Sequence, residues 1–159
     1  MTTETTEPTT DPQTLALLRN DVRGLSKAAI GDLVAALTDR MGIDPALAPI
    51  DLITDKQTGA IRVYINARGA AELAKRRDLS DDELDIDIRE AVVIVKLTMV
   101  NPETGRRRSD VGAASFKPDW ADSLASAIKK ASTSAHRRVT LGMVGVFIDE
   151  PATLDVGEG

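Results

Sequence analysis

Apolar positions along the chain change their period several times, and each change marks a predicted element. Leu15 to Arg23 is weakly helical. A stronger helix is predicted over 27–41, where Ile30, Leu33, Val34, Leu37 and Met41 keep helical spacing. Ser26 stands where an N-cap hydroxyl belongs, and Gly42 where the helix stops. Asp44-Pro45 and Pro49 punctuate the connection that follows. Period two then takes over in 50–54 and 61–65, joined by a DKQTG turn, with Ile61, Val63 and Ile65 on one side and Arg62 and Tyr64 on the other. An Ala-rich helix over 67–77 ends in Lys75-Arg76-Arg77, which suits the negative end of a helix.

Residues 83–88 alternate Leu84, Ile86 and Ile88 with Asp85 and Asp87, the pattern of a half-buried strand. The strongest strand is 91–100, with Ala91, Val93, Val95, Leu97 and Met99 on one face. An NPETG turn leads to a cationic return strand, 106–115, which opens Arg106-Arg107-Arg108. The longest helix is predicted over 119–144, with Gly142 and Gly145 bracketing its end. Helices, a hairpin, a short helix, strands and a long helix make an α+β fold. Its expected core is an antiparallel β-β-β-α unit with a long C-terminal helix and an N-terminal helical region.

Outside these elements the pattern fades. Residues 1–12 are Thr/Glu/Pro-rich and read as a disordered acidic tail, and 149–159 as a second acidic tail. That leaves 13–148 as a single domain, consistent with a chain of 159 residues. The absence of Cys excludes disulfides, thiolate nucleophiles and Cys-based metal sites, and the lone His136 excludes motifs needing two imidazoles. The apolar runs are too short to span a bilayer, and the acidic N-terminus lacks the basic start of a signal peptide. A soluble, cytoplasmic protein is expected.

Net charge is −5, yet its distribution matters more than its sum. The two tails hold seven acids and no base, so 13–148 carries 20 bases against 18 acids. Within it, 101–138 has eight bases and four acids. On a wheel of the last helix, Trp120, Leu124, Ile128, Ala131, Ala135 and Val139 share a core side. Ser123, Ser126, Lys130, Thr133, Ser134 and Arg137 share the other, with Lys129 and Arg138 on its flanks. Hydroxyls and cations without a carboxylate suit phosphate oxygens, although a solvated helix face has the same general look. The Arg106–Arg108 run serves either a ligand or the charge protection of an edge strand. Only Tyr64, Phe116, Trp120 and Phe147 are aromatic, so a bound strand would be gripped by its backbone rather than stacked.

Enzymatic readings find little. No Gly-rich phosphate loop with a Lys is present, Asp85 and Asp87 alternate with apolar residues as a solvated strand face does, and His136 has no partner fixed by sequence. The chain is expected not to be an enzyme and to need no cofactor or metal.

Two stretches resemble a known family. One is Arg62-Val63-Tyr64-Ile65-Asn66 leading into Gly69-Ala70-Ala71-Glu72-Leu73-Ala74. The other runs from Val93 to Gly145: a hairpin, then Asp110-Val111-Gly112, then a helix with Ala131, Thr133, Arg137, Arg138 and Gly142 or Gly145. In order and spacing these are similar to the annealing domain of the Rad fifty-two superfamily, especially its short phage members. The resemblance covers roughly residues 50–148. It implies a β-β-β-α fold assembling into homo-oligomeric rings or helical filaments, with single-stranded DNA in a basic outer groove and complementary strands paired without ATP. It also implies DNA-backbone contact for Arg137 and Arg138 and a place near the groove for Tyr64. Lys129, Lys130, Arg62, Arg106 and Arg108 join the candidate DNA-binding set by charge. The larger members' third basic position, one turn further on, is missing here, where the chain reads Val139-Thr140-Leu141.

The function expected is therefore single-strand annealing in phage homologous recombination, with a phage exonuclease or host single-strand-binding protein as possible partners. The alternative is a structural or adaptor protein of a phage particle or replication complex.

Overall fold

A computed structural model describes residues 11–145. The expected tails, 1–12 and 149–159, lie outside the described residues except for Asp11 and Pro12. These two open the first helix: Asp11 caps α1 (Pro12–Arg19), accepting from Thr14 N, and Pro12 supplies a preset φ in its first turn. α2 (Lys27–Met41) keeps its predicted bounds, with Ser26 accepting from Ala29 N and Gly42 in the left-handed conformation that ends it.

A 3₁₀ turn at Pro45–Leu47 leads into β1 (Ile50–Thr54), which pairs antiparallel with β2 (Ile61–Ile65) as a two-stranded sheet. α1 and α2 bury Ala16, Val22 and Leu33 against Val63 on one face of that hairpin. The free edge of β2 is closed by the α1–α2 connection. Asn20 adopts φ 46°, which lets its Oδ1 accept from Val63 N, while Asp21 Oδ1 accepts from Ile61 N and Val22 N donates to Ile61 O. Side-chain oxygens thus stand in for a third strand.

α3 (Ala67–Arg76) starts directly from β2. Asn66 caps it by accepting from Gly69 N, and its Nδ2 donates to Ala48 O at 2.7 Å. Gly69 is required there, because a Cβ would come within 2.7 Å of Pro49 O.

The second sheet runs β3 (Ser80–Arg89), β4 (Val92–Val100), β5 (Arg107–Ser115), in that order and antiparallel throughout. α4 (Ala121–Val144) lies over β4 and β5. Val93, Val95, Leu97 and Met99 point up from β4 as expected, and Ala127, Ala131, Ala135 and Val139 point down from α4. Alanines at every fourth position let the helix settle close to the sheet. Gly112 sits under that stripe, where no side chain fits. A third cluster, Ile43, Ile65, Leu73 and Leu141, joins the hairpin unit to the end of α4.

Two burial expectations are corrected. Register places Leu84, Ile86 and Ile88 opposite Leu97, Val95 and Val93, hence on the core face, yet they are 54%, 42% and 48% exposed. A helix about 10 Å across covers roughly two strands spaced at about 4.8 Å, and β3 is the third. Trp120, expected in the core, is 67% exposed. It precedes the first helical turn as N-cap, where helical periodicity no longer governs direction. Among the described residues no helix is long and apolar enough to cross a membrane.

Candidate nucleic-acid interface

β2 alternates as predicted. Val63 and Ile65 are buried, while Tyr64 and Arg62 face the other way at i and i+2. Tyr64 meets α4: the Arg137 guanidinium lies over its ring, 3.7 Å from the centroid, and Arg137 Nε donates to Ile65 O. One helix residue thereby grips both a side chain and a carbonyl of β2.

This overturns the wheel's placement of Arg137 on an exposed stripe. Its side chain is 1% exposed, the largest fully buried one among the described residues. Burial pulls its guanidinium below the usual arginine range, with Tyr64 opposing that shift and neighbouring Arg138 adding to it. A guanidinium stays charged regardless. Val139, Thr140 and Leu141, where a further cation is missing, are buried as well, with Thr140 Oγ1 donating to Met99 Sδ at 3.6 Å.

The remaining cations divide into two groups. Lys129 and Lys130 are exposed on α4 and make no ion pair among the described residues. Ser126 and Thr133 are exposed beside them, and Ser134 is half-buried. Arg138, two turns beyond Lys130, is half-buried and donates from Nη1 to Val111 O at 3.0 Å, on the outer edge of β5. Arg106 is exposed at the end of the β4–β5 turn. Ser123, placed on the stripe, instead accepts from Lys117 N at 2.7 Å.

The second group is already engaged. Arg62 pairs with Asp55 at 3.1 Å. Arg107 points to the sheet's outer face and pairs with Asp82, with Glu83 at 3.9 Å. Arg108 crosses to the helix side and lies over Gly142, where a Cβ would stand 2.8 Å from its Cδ, and Asp110 is 3.9 Å away. The Arg106–Arg108 run thus splits between faces, as strand alternation requires.

Reasoning from sequence missed two connections. His136 Nε2 lies 2.9 Å from Asp81 Oδ2 and its Nδ1 lies 3.0 Å from Ser132 O, so α4 touches the start of β3. Asn20 and Asp21 tie the N-terminal helices to β2, where an Asn-Asp pair after a helix was the available signal. On the sheet's outer face Asp85 is exposed and Asp87 half-buried, and Asp87 pairs with Arg89 at 2.6 Å.

Comparison with protein-family models and with curated proteins returns no match.

Proposed function

We propose that this protein binds single-stranded DNA along the exposed flank of α4 and anneals complementary strands without ATP. The observation that supports this reading is the charge of that helix. From Leu124 to Val144 it has no carboxylate, while Lys129, Lys130, Ser126 and Thr133 stand exposed and Arg138 continues the flank toward β5. Such a surface neutralises phosphates and leaves base edges free, which pairing demands. Trp120 is the single large exposed aromatic side chain among the described residues, in keeping with a backbone grip rather than a stacking platform. In this reading Arg137 does not touch phosphate in the isolated chain. It fixes β2 against α4 and so sets the wall beside the flank.

The test is binding of a fluorescent oligonucleotide measured against salt. Each phosphate contact on a single strand contributes about −0.7 to the slope of log K against log salt. Replacing both Lys129 and Lys130 by Ala is expected to make that slope shallower by about 1.4 and to weaken binding to all sequences alike. An unchanged slope would remove α4 from the interface.

A further inference from the structure

The edge strand β3 combines features that the DNA reading does not use. Leu84, Ile86 and Ile88 form an exposed apolar row, continuous in register with the buried Leu97, Val95 and Val93 but beyond the reach of α4. Glu83, Asp85 and Asp87 point to the opposite face, across from Thr98, Lys96 and Ile94. Residues 80–90 hold six acids (Asp81, Asp82, Glu83, Asp85, Asp87, Glu90) and one base, Arg89. Among the described residues, no strand pairs with the outer edge of β3.

Exposed edges with an apolar row are open to strand addition, and charge decides which strand is accepted. A second β3 would bring carboxylates against carboxylates. The cationic strand β5 of a second copy has its own outer edge obstructed, because Arg138 already donates to Val111 O in mid-strand. β1, the remaining strand with an open edge among the described residues, carries Asp51 and no base, so it does not complement the acids of β3 either. Both sequence tails are acidic and offer no complementary charge.

We propose that β3 is a docking edge for an extended, cationic segment of a partner protein. The segment adds as a fourth strand with alternating apolar and basic residues. Its apolar side chains extend the row of Leu84, Ile86 and Ile88 on the sheet face that carries α4, and its basic side chains meet Glu83, Asp85 and Asp87 on the other face. The same alternation that leaves β3 half-finished specifies its complement. This inference is independent of the DNA reading.

The test uses the full chain and a labelled alternating Lys–Val peptide about nine residues long, which matches the 9 residues of β4 and lies within the usual range for strands. Alternating Glu–Val and Lys–Ser peptides serve as controls. Saturable binding of the Lys–Val peptide is expected. It should weaken at least about tenfold in Ile86→Lys, a change at an exposed position that leaves the thermal transition in place. Both controls should fail to bind, and alternate amides of 80–89 should gain hydrogen-exchange protection. Equal binding to Ile86→Lys, equal binding of the Lys–Ser peptide, or no saturable binding of the Lys–Val peptide would each overturn the proposal. So would sedimentation showing that the wild type self-associates and Ile86→Lys does not, because a second copy would then own the edge.

Discussion

Gly112→Ala adds one methyl group at the closest approach of α4 to the sheet. The new Cβ would stand 2.7 Å from Ala135 N and nearer still to Ala131 O, and both are backbone atoms. No rotamer change relieves that clash. Ordinary contact begins about 3.5 Å out, so α4 must retreat by about 1 Å or β5 must sink by as much. A gap of that size forfeits a quarter to a half of the dispersion at each contact it opens. The contacts at stake are those of Ala127, Ala131 and Ala135 with Val93, Val95 and Leu97. Overpacking usually costs about 1–3 kcal/mol, and a backbone-to-backbone conflict belongs at the upper end, about 3 kcal/mol. For a domain of this size that lowers the midpoint by about 10 °C. The assay is urea and thermal unfolding by circular dichroism, with Gly31→Ala as an internal control. Gly31 lies inside α2 with open space around its Cα, so its substitution should stabilise by about 0.5–1 kcal/mol. If Gly112→Ala unfolds within about 0.5 kcal/mol of wild type, α4 does not lie on Gly112 and the packing argument fails.

Other predictions follow the same contacts. Arg137→Ala should cost about 2–4 kcal/mol in chemical denaturation, because it empties a buried space over Tyr64 and leaves Ile65 O without its Nε donor. Arg137→Met, which refills most of the volume, should recover part of that loss. Asp21 has its carboxyl pulled below the usual value of 3.8 chiefly by hydrogen bonds from Arg23 and also from Ile61 N. A depressed folded-state value means stability that is present above 3.8 and lost as pH falls through the lower folded value, so the acid limb below pH 3.8 should be shallower in Asp21→Asn than in wild type. Asp55, held down by Gln57 and Thr58 amides, contributes with the same sign, and a pH titration of the unfolding midpoint reads both.

The parts of the fold legible in sequence are those decided locally. Ser26 and Gly42 delimit α2 because a cap hydroxyl and a left-handed stop act within one turn. The 50–54 and 61–65 hairpin and the long helix were likewise written in their own periods. What escaped depends on neighbours. A wheel assumes one buried side, but α4 is buried on two: its alanine stripe against the sheet, and Arg137 with Leu141 against β2 and α3. An arginine on the second side looks like a surface cation until Tyr64 is brought to it. The alternation in β3 correctly gave a strand and a face, yet could not say that the helix above ends its coverage at β4. The Asp81–His136 contact joins residues 55 apart, beyond any local pattern.

The proposed annealing function is tested most directly by mixing two complementary fluorescent oligonucleotides without ATP and following duplex formation. The wild-type chain is expected to accelerate pairing at low salt and to lose that effect as salt rises. Lys129→Ala/Lys130→Ala should lose most of the acceleration while its thermal transition remains that of wild type, since both side chains are exposed. If wild type does not change the pairing rate at low salt, or if the double variant pairs strands as fast, the α4 flank is not an annealing surface and the account of function is wrong.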